Sequence, residues 1–128
     1  MDLQEWLFKF VEYKNSFSKE KPEVERYDKG VIVKKNSSQV KYEVEEPLAT
    51  RAVFEKVDVI VCLNNKRNVL FLESNWETFK SLDVSLLFVN PKTQEHWQIK
   101  PKFHDLVADR KELKTGLLSL MEGITIYE

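Results

Sequence analysis

Apolar residues in this chain first recur with a helical period. Leu3, Trp6, Leu7, Phe10 and Val11 share one stripe about two and a half turns long. Asp2 is placed to accept from the free N–H groups at the start of that helix, and Glu5 stands where a capping box wants its acid. Phe8 and Tyr13 fall off the stripe, on a second covered surface or at a partner contact. Pro22 ends any continuation, so Ser16 to Asp28 reads as a charged connection.

From Gly30 the period becomes two. Val31-Ile32-Val33 precede Asn36-Ser37-Ser38, after which Val40, Tyr42 and Val44 alternate with Lys41, Glu43 and Glu45. That pattern predicts a hairpin with one face on a core and one in water. Pro47 breaks it, and Leu48 to Glu55 reads equally as a helical turn or an irregular strand. Val57 to Leu63 and Val69 to Leu72 then predict a second hairpin around Asn64-Asn65-Lys66-Arg67, covered on both faces. Ser74 and Glu77 form a capping-box pattern that opens a short helix through Leu82, carrying Trp76 and Phe79.

A third hairpin, Val84 to Val89 with His96 to Ile99, turns at Asn90-Pro91-Lys92-Thr93-Gln94, where Pro91 suits the first corner. Phe103, Leu106, Leu113, Leu117, Leu120 and Met121 predict a long amphipathic helix. Gly123 is its C-cap, and Ile124 to Tyr127 a closing strand. The element order predicts an α+β fold, with residues 1–128 as one domain. Its mainly antiparallel sheet is built from successive hairpins, with the N-terminal, short middle and long C-terminal helices on one face. The second and third hairpins share Asp-Val openings (Asp58-Val59, Asp83-Val84) and asparagines at matching offsets (Asn65, Asn90), a likeness that strand pairs acquire by coincidence.

Composition narrows the function classes. Apolar residues are 42% of the 128 and charged residues 32%, which is globular rather than disordered. A net charge of −1, with both signs interspersed, gives no support to a phosphate-neutralising surface. Cys62 is the only cysteine, so no intramolecular disulfide forms. The start Met1-Asp2-Leu3-Gln4-Glu5 is acidic, unlike a signal peptide, and runs such as Val84 to Val89 are too short to span a bilayer. The expectation is a cytoplasmic protein with no membrane partner, in which the glycosylation-like Asn36-Ser37-Ser38 is a chance match in a turn.

Candidate chemistry is sparse. Asp83 opens one strand of the third hairpin, and Gln98 and Lys100 lie two residues apart on its partner, on one face. This arrangement resembles the divalent-metal nucleases of the restriction-endonuclease-like class. In them an Asp, then an acid or Gln, then a Lys are followed by a helix. The resemblance covers roughly the C-terminal third and implies Asp83, Gln98 and Lys100 as catalytic residues, with Asp83 holding Mg²⁺ and nucleic acid as substrate. Gln98 stands where the class usually has a carboxylate, and no further acid is clearly assigned, although Glu5 or Glu12 could reach. The plainer reading makes Asp83 a turn cap, with Gln98 and Lys100 on a wet hairpin face, and it carries more weight.

Asp58 with Glu73 repeats part of the pattern, but Asn75 stands in place of the Lys. His96 and His104 are the only histidines, too few for a zinc site with one cysteine. Cys62 sits in the apolar run Val59-Ile60-Val61-Cys62-Leu63, which hides a thiol. No glycine-rich phosphate loop occurs. Lys41-Tyr42 and Lys102-Phe103 interleave basic and aromatic residues, yet each aromatic also fits a core register.

The leading expectation is therefore a non-enzymatic protein-binding module without a cofactor, in which Phe8 and Tyr13 meet another protein or a second copy of the chain. Exposed apolar groups and sheet edges that need covering both point that way. The order of helices and strand pairs is loosely similar to that of secretion chaperones, which act as dimers. The alternative is the metal-dependent nuclease.

Overall fold

A sheet of six strands organises the chain in the computed structural model, which describes residues 1–50, 56–107 and 109–128. Helix α1 (Leu3–Asn15) comes first. It is followed by β1 (Glu23–Tyr27), β2 (Gly30–Lys35), β3 (Ser38–Val44) and β4 (Val59–Leu63). Helices α2 (Lys66–Ser74) and α3 (Trp76–Ser81) lead to β5 (Ser85–Asn90) and β6 (Glu95–Ile99). Short α4 (Pro101–His104), a 3₁₀ turn (Arg110–Glu112) and α5 (Leu113–Glu122) complete the chain. The strands lie in the order β1-β2-β3-β4-β5-β6.

The fold is α+β, as the pattern predicts, but the sheet is mixed. β1–β2, β2–β3 and β5–β6 pair antiparallel, while β3–β4 and β4–β5 are parallel. The parallel pairing of β4 with β5 arises because the expected second hairpin does not form. Val69 to Leu72 lies inside α2, and α2 with α3 supplies the crossover that parallel strands require. Asn65 decides the matter locally, its side chain accepting from the Asn68 N–H at 2.9 Å as an N-cap. Val69, Leu72, Trp76 and Phe79 then follow at spacings of three and four, and all are buried. Ser74 closes α2 rather than capping α3, and Asn75 instead donates its side-chain amide to the Phe71 carbonyl. With one hairpin gone, the apparent repeat of two hairpins disappears as well.

The helices also occupy both faces of the sheet, not one. Strand alternation separates two cores. Val59, Val61, Leu87 and Val89 pack with Val31 and Val33 against Leu3, Trp6, Leu7 and Val11 of α1. Ile60, Cys62, Leu86 and Phe88 pack on the opposite side with Val69, Leu72, Trp76 and Phe79, and with Leu113, Leu117 and Met121 of α5. Central β4 and β5 are thus covered twice, which is why they read as unbroken apolar runs. Cys62 is fully buried among these residues, and burial pushes its thiol far above the ordinary range.

Three further expectations change. β1 falls within the supposed connection; as an edge strand it carries Glu23, Glu25 and Arg26, so charges that discourage edge pairing also mask its period. The long C-terminal helix is interrupted. Asp109 accepts from the Lys111 N–H and restarts the chain as the 3₁₀ turn before α5, leaving Leu106 and Val107 80% and 86% exposed. Ile124 to Tyr127 is not a strand; it crosses the ends of β4 and β5. There the Thr125 carbonyl accepts from the amides of Asn64 and Asn90, and the Tyr127 N–H donates to the Asn64 carbonyl.

Gly123 caps α5 through its N–H, in right-handed conformation. Of the segment left open at 48–55, Leu48 is buried under α2 and residues 51–55 lie outside those described. No helix among the described residues is long and apolar enough to cross a membrane.

Candidate functional site

Helix α1 forms one wall of the candidate site. Its inner residues are fixed by the sheet, and Asp2 starts it by accepting from the Glu5 N–H at 2.7 Å. Because Leu3, Leu7 and Val11 point into the sheet, the next positions round the helix carry Trp6, Phe10 and Tyr13 along its side. Trp6 and Phe10 are stacked, with centroids 4.9 Å apart and planes 13° from parallel.

The opposing wall comes from the β5–β6 hairpin. In β6, Trp97 stacks on Phe88 at 4.3 Å within the α2–α5 core, so its neighbour His96 must project towards α1. The His96 ring stands edge-on to Phe10 at 5.1 Å and tilted to Trp6 at 5.6 Å. Between the walls is a groove of about 420 Å³, lined by Trp6, Lys9, Phe10 and Tyr13 on one side and by Gln94 and His96 on the other.

The turn that aims the hairpin is held by Asn90. Its side-chain oxygen accepts from the Lys92 and Thr93 N–H groups, while its carbonyl accepts from the Gln94 N–H at 2.7 Å. Gln94 sits at φ 68°, in the left-handed region that costs a side-chain-bearing residue roughly 1–2 kcal/mol. Gln94→Gly is expected to raise stability by about 0.5–1 kcal/mol once the added freedom of the unfolded chain is deducted. A denaturant midpoint moving the other way would show that the turn is not strained.

The residues singled out from sequence are distributed as follows. Tyr13 is 70% exposed and meets Phe17, itself 80% exposed, edge-on at 5.8 Å; together they carry the aromatic strip beyond the groove. Phe8 is half-buried elsewhere, beneath the Arg26 guanidinium of β1 at 4.3 Å, and does not join Tyr13.

Asp83 and Lys100 are brought together by the hairpin, with Lys100 Nζ 2.8 Å from Asp83 Oδ1 and 4.6 Å from the Phe103 ring. The Lys100 ammonium holds the Asp83 carboxyl below the usual carboxylate range. Gln98 is exposed on β6. Among the described residues no three His, Cys, Asp or Glu side chains cluster closely enough to hold a metal ion. Asp58 accepts from the Lys41 N–H, whereas Glu73 faces Arg110 at 3.9 Å, so these two acids serve separate contacts. His104 packs edge-on against Trp76 at 5.8 Å, within short α4.

Two acids were expected in water and are not. Glu43 and Glu45 of the β3 segment are 4% and 2% exposed; Glu43 lies beside Ile60, on the face of the sheet that α2 and α5 cover. Nearby, Tyr27 donates its hydroxyl to the Tyr42 carbonyl at 2.8 Å. Burial first, and then Glu43, push that hydroxyl's ionisation far up.

Phe17 was hidden from sequence reasoning by its charged neighbours, and Phe10 by its fit to the core stripe. The signal that places Phe10 on the groove side is its spacing from Trp6 and Tyr13, four and three residues. The chain matches no family model, and comparison with curated proteins and with solved structures gives no match either.

Proposed function

We propose that this chain is a non-enzymatic protein-binding module that receives a segment of another protein in the groove between α1 and the β5–β6 hairpin. The observation that supports the reading is the aromatic strip Trp6–Phe10–Tyr13–Phe17, which runs from the core out to fully wet positions. Large apolar groups grouped on a surface mark interfaces, and aromatic residues are enriched in the parts of interfaces that dominate affinity.

Selection of a random peptide library on the immobilised chain tests it. Enriched peptides are expected to bind at least about tenfold more weakly to Phe10→Ala, as for an aromatic anchor. An empty selection, or binders indifferent to Phe10→Ala, would count against the groove. Light scattering over a concentration series separates the case in which the partner is a second copy, since that association would be lost in Tyr13→Ala. Incubation with plasmid or single-stranded DNA and Mg²⁺ or Mn²⁺ addresses the nuclease alternative. Cleavage abolished by both Asp83→Ala and Lys100→Ala would replace the binding reading.

A further inference from the structure

We infer that the occupant of the groove is an acidic peptide bearing an aromatic side chain, an inference that rests on the groove being a binding site. The walls select the aromatic group. Phe10 and His96, packed on each other and on the nearly buried Trp6, line one volume of about 420 Å³, within the range of ligand-sized pockets. A further ring fits there in the offset or edge-on contacts that aromatic groups prefer.

The rim selects the charge. Lys9 lines the groove, and Lys14 Nζ stands 6.0 Å from the Phe10 ring. Among the described residues neither lysine has a carboxylate within 4.0 Å, so both ammonium groups are open to a partner. Glu5 and Glu12, four residues before and three after Lys9, are its helical neighbours and offset it only from the side of α1 away from Trp6, Phe10 and Tyr13. A partner placing carboxylates beside its aromatic residue would therefore complete charges that α1 leaves open, which sets specificity as well as encounter rate.

The test uses three labelled peptides built on one frame, a central Trp flanked by Glu, by Gln or by Lys, titrated against the full chain by fluorescence anisotropy. The Glu peptide is expected to bind roughly five- to tenfold tighter than the Gln peptide at low salt, with the advantage fading near 1 M salt. Lys9→Gln with Lys14→Gln should erase the preference, and Lys9→Glu with Lys14→Glu should reverse it towards the Lys peptide. Glu and Gln peptides that bind equally, and are both lost in Phe10→Ala, would overturn the acidic occupant while leaving the groove as the site. Binding by none of the three would overturn the inference, with the library selection deciding the groove separately.

Discussion

Trp76→Ala is expected to lower the stability of the chain by about 4 kcal/mol, within the span for removing a large aromatic residue from a packed core. Trp76 is 1% exposed and sits among Val69, Leu72, Phe79 and Leu117, where the crossover helices meet α5. Its indole N–H also donates to Asp105 Oδ1 at 2.8 Å, and Lys80 reaches the other oxygen at 3.3 Å, so the side chain ties α3 to the end of α4. Trp76→Phe separates the two contributions: it keeps most of the packing, loses the hydrogen bond, and should cost clearly less.

The pH dependence has a definite sign. The indole bond first, then Lys80, hold the Asp105 carboxyl below the usual carboxylate range. A carboxyl depressed in the folded state contributes stability above its unfolded pKa and loses it as pH falls through the folded value. Wild type should therefore lose stability on acidification below the ordinary carboxylate range, and Trp76→Phe should flatten part of that limb. Chemical denaturation at a series of pH values checks both. A loss under about 1.5 kcal/mol in Trp76→Ala would mean that α3 is not seated in the core as described.

Asn64→Ala is the second large effect, about 3 kcal/mol. Asn64 is fully buried, and its amide donates to the carbonyls of Met121 and Thr125 at 3.0 and 3.2 Å while its oxygen accepts from the Trp97 indole at 2.8 Å. Alanine leaves one donor, the Trp97 indole, and one acceptor, the Met121 carbonyl, short of a partner, since Asn90 continues to serve Thr125 at 3.1 Å. Orphaned buried groups cost roughly 1–3 kcal/mol each, which sets the magnitude. The loss should concentrate in the C-terminal segment, so hydrogen exchange at Tyr127, whose N–H is held by the Asn64 carbonyl, is expected to quicken before that of β4. Unchanged exchange there, with a small global loss, would contradict the clasp.

How far the chain declares itself depends on the kind of interaction. α1, the β2–β3 hairpin and the β5–β6 hairpin were legible, since each pairs a clean period with local punctuation: Asp2, then Asn36 at φ 47°, then the Asn90 turn. Val69 to Leu72 was misread because four consecutive apolar residues fit a buried strand as well as a helix covered on two sides. Only Asn65 and the downstream spacing to Trp76 tell them apart. That single change converts a hairpin into a crossover and makes the β4–β5 pair parallel. Asp109 with Glu112 was another available cue, a capping pattern inside what read as one long helix.

The groove was legible in part. Tyr13 stood out as off the stripe, but its partner across the gap, His96, is 83 positions away by residue number (96 − 13). No local pattern relates them; the sheet does. Phe8 carried the same signal as Tyr13 and was used differently, because β1, unseen in the sequence, supplies Arg26 to cover it.

The three tryptophans allow the binding account to be tested in one spectrum. The Trp76 and Trp97 indoles are bonded to Asp105 and Asn64 on the α2–α5 side of the sheet, and Trp6 lines the groove on the other. Titrating the Glu-flanked peptide into ¹⁵N-labelled chain should shift the Trp6 indole signal progressively and leave the other two in place. A peptide that binds while Trp6 stays still and Trp76 or Trp97 moves would contradict recognition at α1.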